Sequence, residues 1–486
     1  MKICISYPPI PNAPGTPMIG QNRQFQWFSV PTYIYPMVPA YAATLLKQEG
    51  FEVIWDDAIA EEKTYGQWIK DIERIDPDII MIETKTPVVK KHWKIINHVK
   101  EILPDTKIVL VGDHVTALPE ESFKYSKVDY VLTGGDYDFL IVNLAKYLDG
   151  ETKELEPGIY YRTPDGDIRS TGVFKLNHDL TKLPFIDRDL TKWWLYAYKN
   201  GNYKRVPGTY TMVGRDCWWR KSGGCTFCAW TVLYPTYRVR RPEQLVEEIA
   251  YVVKKYGIRE VFDDTGTFPV GKWLRDFCKL MIEYGLNEKI YFSCNMRFGV
   301  LKKEDYILMK KAGFRMLLFG LESASQRTLD KINKGFTVAD IIRECKWATE
   351  AGLEPHLTIM VGYPWETREE AWKTFYLAKY LFDKGWACTL QVTIVIPYPG
   401  TKLFKEALEK GWLKTMNWDD YDMTKTVMKT DLPDEDVKKM CRIIYQLHAS
   451  PRHVIKLIKN IKSWDDIKYL MRGALKVLGH VRDFSH

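Results

Sequence analysis

Three cysteines, Cys217, Cys225 and Cys228, share one short stretch of this 486-residue chain. Cys225 and Cys228 are separated by two residues, and Cys217 lies seven intervening residues before Cys225, across a Ser222-Gly223-Gly224 segment free to fold back. Three thiolates on one inorganic centre leave a coordination position open, which is useful where a ligand must bind and react. The spacing admits three chemistries: a [4Fe–4S] cluster with one open iron, a zinc site completed by a distant fourth ligand, or unrelated thiols. Cys4, Cys278, Cys294, Cys345, Cys388 and Cys441 fall in strand or helix patterns and read as small buried hydrophobes. The nine histidines form no metal-like cluster. Trp230, Tyr234 and Tyr237 follow the cysteine stretch and could line a substrate cavity or simply pack.

The rest of the chain must position those thiols. Its length allows two or three domains, and 46% hydrophobic residues without an apolar run near 18 residues implies a soluble globular protein. The start, Met1-Lys-Ile-Cys-Ile-Ser6, reads as a strand with no export signal, and scattered cysteines fit a reducing cytoplasm. Of the net charge of +8, the segment from Val437 to His486 accounts for eleven Lys/Arg against three Asp/Glu.

Residues 1–150 alternate short apolar strands with amphipathic helices, the pattern of a doubly wound parallel sheet whose ligands sit beyond the strands' carboxyl ends. The residues expected at those ends are Tyr7 and Pro8; Glu83, Thr84 and Thr86; Gly112, Asp113, His114 and Thr116; and Gly134, Gly135 and Asp136. Small and hydroxyl-bearing groups there suit close backbone approach by a large flat or phosphate-bearing ligand. The Pro/Tyr/Trp-rich segment from Pro8 to Pro39 is long for a loop without a task. Residues 151–205 read as a linker containing a β-hairpin. Residues 206–400 repeat strand, loop and helix six times, a partial (β/α)6 barrel with the cysteine loop leaving its first strand on the carboxyl-terminal face. Residues 401–486 read as a helical, basic tail: a solvated cap over the barrel, a docking face for a protein substrate, or a nucleic-acid or membrane-surface contact.

The N-terminal third resembles the Rossmann-like cobalamin-binding domain of cobalamin-dependent radical S-adenosylmethionine (SAM) enzymes, on Pro8-Pro9 after the first strand, Gly112-Asp-His-Val-Thr116 after the fourth and Val128-Asp-Tyr-Val-Leu-Thr-Gly-Gly-Asp136 after that. The family's Asp-x-His-x-x-Gly signature is absent. The resemblance therefore implies base-off cobalamin with no histidine ligand from the protein, and a Pro8–Pro39 segment against the lower corrin face.

The barrel resembles the radical SAM enzymes strand end by strand end, and the likeness implies a [4Fe–4S] cluster on Cys217, Cys225 and Cys228. It also implies SAM contacts from Phe227 before the last cysteine; from Asp264, Thr265 and Gly266; from Asn295 and Arg297; from Glu322 and Ser323 in Gly320-Leu-Glu-Ser323; and from Val361, Gly362 and Tyr363. Asp264 and Glu322 suit the SAM ammonium, and Arg297 or Ser323 its carboxylate. The family usually has three residues between its first two cysteines; the seven found here are similar to the methanogen enzymes that C-methylate a glutamine of methyl-coenzyme M reductase. The implied activity is methyl transfer from methylcobalamin to an unactivated sp³ carbon, with an external one-electron reductant, a protein or peptide substrate, no membrane and no nucleic acid. A non-methylating rearrangement, cyclisation or oxidation with the same cofactors, or an iron–sulfur electron carrier, are the alternatives. No residue that moves a proton or hydrogen atom is identified from sequence.

Overall fold

The computed structural model describes residues 1–17 and 27–484. Its N-terminal layer is a seven-stranded sheet: β1 (Lys2–Ser6), β2 (Glu52–Asp56), β3 (Ile79–Glu83), β4 (Lys107–Val111), β5 (Tyr130–Leu132), β6 (Ile159–Arg162) and β7 (Ile168–Ser170). The spatial order is β2-β1-β3-β4-β5-β6-β7, with the first five parallel. Helices cover both faces, so a central strand needs apolar side chains on each side. All five residues of β3 are buried, an Ile-Ile-Met-Ile run rather than an alternating one. The hairpin expected in the linker is the edge of this sheet, because β6 pairs antiparallel with β5. Strand order reverses between β1 and β3, and a crevice opens there beyond the carboxyl ends.

Six further strands, β8 (Gly208–Thr211), β9 (Glu260–Asp263), β10 (Tyr291–Met296), β11 (Phe314–Glu322), β12 (Glu354–Val361) and β13 (Thr389–Ile394), follow one another in chain order, all parallel. This is the arrangement of a partial (β/α)6 barrel. The helix Pro242–Tyr256 between β8 and β9 starts on proline, whose missing N–H would be unbonded there anyway, and stops at the left-handed Gly257 (φ 63°). Ionic side chains divide between the barrel's ends. At the amino ends Arg315 bridges the buried Glu260 and the partly exposed Glu354, both at 2.6 Å, a structural arrangement. The carboxyl ends carry the cysteine loop.

The tail is tied down rather than solvated alone. Helix Trp464–Asp483 pairs Asp466 with Arg205 (2.9 Å) and Asp465 with Arg259 (2.7 Å) beneath the barrel. At its other end Lys476 donates to the Pro31 carbonyl (2.8 Å), Gly479 abuts Val30, and His480 meets Phe28 edge-on. Phe28 to Thr32 of the Pro8–Pro39 segment thus meet the tail, while Tyr33 and Tyr35 turn to Glu62 and Thr191; residues 18–26 lie outside the described residues. No helix among the described residues is long and apolar enough to cross a membrane.

The two sheets are locked through the loop after β5. Arg215, 1% exposed, donates to the Gly135 carbonyl (3.0 Å) and pairs with the fully buried Asp138 (2.5 Å). Tyr234 also donates to that carbonyl, and Arg238 pairs with Asp136. His178 lies between Asp136 and Glu156, each 3.0 Å away, and stacks on Phe139. Burial alone would lower the His178 pKa, but its hydrogen bonds to the two carboxylates outweigh that and raise it to about 9. Stability from this contact is full below the free histidine's pKa near 6.5 and is lost as pH rises towards 9. The His178→Gln variant is therefore expected to show a flatter thermal-unfolding midpoint between pH 6.5 and 9 than wild type; equal slopes would count against this.

Candidate functional site

A cavity of about 240 Å³ lies where the carboxyl ends of the two sheets face each other. The barrel contributes Cys217, Cys225, Cys228, Phe227, Gly266, Asn295, Arg297 and Glu322, and the N-terminal sheet contributes Thr86 and Asp113. These expected site residues are brought to one place by the rule that parallel strands deliver their loops to one edge.

Cys217 follows β8 and bonds Thr267 through its sulfur (3.0 Å), while Cys225 and Cys228 are joined by a Cys228 N–H to Cys225 carbonyl turn (3.3 Å). The spacer between Cys217 and Cys225 forms a 3-10 turn, Trp218–Ser222, and reverses at Gly223 and Gly224, both left-handed (φ 88° and 67°). Burial pushes the thiols of Cys217 and Cys228 up, the latter to about 12, so their anionic forms need a bound cationic centre. Among the described residues no three His, Cys, Asp or Glu side chains are arranged to hold a single metal ion. A polynuclear cluster places its thiolates on different irons and so farther apart. Three thiols on one cavity wall suit an iron–sulfur cluster with one open iron.

The remaining expected SAM residues divide. Arg297 is 4% exposed, and its Nε and Nη1 have no hydrogen-bond partner, which leaves a buried guanidinium able to receive a carboxylate. Ser323 is committed elsewhere: its hydroxyl donates to Glu366 (2.5 Å) and accepts from the Ser325 N–H. Glu322 borders the cavity with left-handed backbone (φ 60°) and pairs with Lys334 (3.1 Å). Asn295 donates to the Thr265 carbonyl (2.9 Å) beneath the cavity floor. Asp264 and Thr265 are buried behind it, the Asp264 N–H on the Thr211 carbonyl and the Thr265 hydroxyl accepting from the Gly214 N–H. Val361, Gly362 and Tyr363 also sit behind the wall, which their neighbours Thr358, Ile359 and Met360 form.

On the opposite wall Lys85 lies 3.6 Å from Asp113 and 3.5 Å from Glu83, which sits behind that wall and accepts from Tyr7 (2.5 Å), itself outside the cavity. Pro8 is buried beside Tyr7. Gly112 is left-handed (φ 121°), and a Cβ there would collide with the Thr84 carbonyl. Thr84 bonds His92 (2.8 Å), and Thr116 donates to the Gly112 carbonyl (2.7 Å) and accepts from the Gly134 N–H (3.0 Å). His114 spends both ring nitrogens, on Thr86 and Glu121, each at 3.1 Å. Gly134, Gly135 and Asp136 do not face the cavity: Phe174 covers the first, and Tyr234, Arg215 and Arg238 cover the others. Sequence reasoning missed Lys85, Trp219, Arg220, Thr267 and Lys334, all within or beside the cavity wall. Lys85 lies inside the Glu83–Pro87 stretch already singled out, so a buried lysine between two carboxylates was findable there. Lys334 gave no signal, because it folds back twelve residues to reach Glu322.

The cavity is partly open to solvent, so ligands as large as a corrinoid and SAM can extend beyond its 240 Å³. In residue type and position the two walls suit them.

Comparison with known proteins agrees with both halves. The radical SAM superfamily model matches residues 212–378 and the B12-binding domain model residues 28–139. An uncharacterised methyltransferase of Pyrococcus horikoshii is 30% identical over 91% of this chain and 94% of its own. The anaerobic magnesium-protoporphyrin IX monomethyl ester cyclase of Rubrivivax gelatinosus is 27% identical over 82% of this chain and 70% of its own. The solved structure of OxsB, a cobalamin-dependent SAM radical enzyme with aqua-cobalamin and SAM bound, covers 99% of this chain and 71% of its own at TM-score 0.68. At 15% identity that likeness is one of fold. Three clustered cysteines at the mouth of a partial barrel, facing a flavodoxin-ordered sheet, and a relative similar over nearly its whole length lead to one conclusion: the chain belongs to the radical SAM superfamily, among the enzymes that carry an N-terminal B12-binding domain.

Proposed function

We propose that this enzyme is a cobalamin-dependent radical SAM methyltransferase that places a methyl group on an unactivated sp³ carbon. The observation carrying the reading is the shared cavity, with the cluster cysteines on one wall and the B12-domain strand ends on the other. When bound, the cofactors would supply hydrogen abstraction by a 5′-deoxyadenosyl radical and a methyl group held on cobalt. The chain's own part is to bind and orient. Arg297 would hold the SAM carboxylate and Glu322 its ammonium, displacing Lys334, while Phe227 closes the side of the cavity beside Cys228. His114 has both ring nitrogens bonded, to Thr86 and Glu121, which suits base-off cobalamin without a histidine ligand from this stretch.

With substrate and reductant under anaerobic conditions, S-adenosylhomocysteine and 5′-deoxyadenosine are expected together with methylated product. Deoxyadenosine without S-adenosylhomocysteine would replace this reading with a non-methylating oxidation or cyclisation, which the similarity to the cyclase favours. The Cα of a glutamine in methyl-coenzyme M reductase is the candidate acceptor drawn from the seven-residue spacer, and a peptide spanning that glutamine tests it directly. The Arg297→Ala variant is expected to keep its iron but weaken SAM binding by about tenfold or more, the loss of one charge-assisted contact.

A further inference from the structure

Four cations line the cavity, and three have a carboxylate: Lys85 has Glu83 and Asp113, Arg220 has Asp216, and Lys334 has Glu322. Among the described residues Arg297 alone of the four has none. It rests instead on the spacer between the first two cysteines. Its guanidinium carbon is 3.6 Å from the centre of the Trp219 ring, with Trp218 at 5.3 Å and Phe336 at 5.7 Å. Trp219 is itself fixed. Its indole N–H donates to the Asn333 carbonyl (2.7 Å), and the Asn333 side chain donates to the carbonyls of Ser222 and Gly224, both at 2.8 Å. The ring occupies the space a Cβ at the left-handed Gly335 would need.

We propose that the long spacer is a SAM-positioning device and that Trp219 is its positioning residue. The inference rests on the reading of Arg297 as the carboxylate holder. A guanidinium interacts with an aromatic ring through its flat face and with a carboxylate through its edge, so the two contacts do not compete. Trp219 holds the face of Arg297, and the edge of this cavity-lining guanidinium, which pairs with no carboxylate among the described residues, is left for the incoming anion. A three-residue spacer has no room for this turn. Lengthening the loop therefore changes how SAM is held, while the sulfur count stays the same.

The test compares SAM dissociation constants of anaerobically reconstituted, iron-loaded full-length protein. Trp219→Leu is expected to weaken SAM about tenfold at unchanged iron content, with Trp219→Phe recovering most of the loss, as a cation–π contact predicts. Combined with Arg297→Ala, Trp219→Leu should add nothing further, since both remove one unit. Wild-type SAM affinity in Trp219→Leu, beside a weakened Arg297→Ala, overturns the positioning role and leaves Arg297 as ligand. Unaltered affinity in Arg297→Ala removes the underlying reading. Loss of iron in both Trp219→Leu and Trp219→Phe would assign the spacer to cluster retention and overturn the proposal.

Discussion

Replacing Cys225 with alanine is expected to strip the protein of its iron–sulfur absorbance and to lower 5′-deoxyadenosine formation by roughly 1,000-fold or more, because the cofactor rather than the polypeptide supplies the radical chemistry. Cys217→Ala and Cys228→Ala should behave alike, since all three sulfurs border one cavity and the described residues offer no histidine or further cysteine there to replace a lost one. Cys294→Ala is the informative contrast. Cys294 is fully buried in β10, its thiol pushed well up by burial first and then by Asp263, so it is inert as a ligand. Its loss should leave iron and SAM cleavage intact and cost only about 1 kcal/mol of stability for the small void left behind. Metal analysis of the four variants decides the matter. A wild-type protein that holds one tetrahedral zinc, or a Cys225→Ala protein that keeps a full complement of iron, would end the cluster assignment.

The sequence makes the strand ends legible for a physical reason: parallel strands joined by helices deliver every second loop to one edge, and ligands bind along that edge. Tyr7, Glu83, Asp113, Arg297 and Glu322 could be located by that rule without coordinates. What the rule cannot say is which loops on the edge meet a ligand and which meet the other domain. Gly134, Gly135 and Asp136 have the small and acidic character of a ligand loop, yet Phe174 of the linker covers the first, and the others receive Tyr234, Arg215 and Arg238 from the barrel. Two chains of argument from charge alone were likewise undecidable. Arg297 and Ser323 both suit a carboxylate, and only the arrival of Glu366, 43 residues further along, shows that Ser323 is spoken for. Basic residues in the tail suited a solvated cap, a docking face or a nucleic-acid or membrane-surface contact alike in kind, and its anchoring to the barrel shows only once Asp465 and Asp466 are seen to meet Arg259 and Arg205.

Because the cavity exists only between the two sheets, loosening their junction should empty it of corrinoid before it loses iron. Asp138 is fully buried on the N-terminal side, and its carboxylate faces Arg215 at 2.5 Å. Asp138→Leu would leave that guanidinium buried with the Gly135 carbonyl, the Tyr234 hydroxyl, the face of Tyr41 and a distant Asp136 at 3.9 Å. Removing one member of a buried ion pair costs about 3–5 kcal/mol, most of it the desolvation of the partner left behind. That loss belongs to the junction, and hydrogen exchange should rise first in the helix Tyr137–Leu148 and in the loop that carries Arg215. Iron should outlast corrinoid, since its three cysteines all come from the barrel and Asp138 reaches their loop only through Arg215, whereas cobalamin, held between the two sheets, should wash out during gel filtration. Adding Arg215→Met to Asp138→Leu replaces the pair by apolar groups and should return most of the stability, as burying no charge is cheaper than burying one alone. Full corrinoid retention in Asp138→Leu would show that the two domains hold their geometry without this pair, and the remaining contacts of Tyr234 and Arg238 would then be the ones that set the width of the cavity.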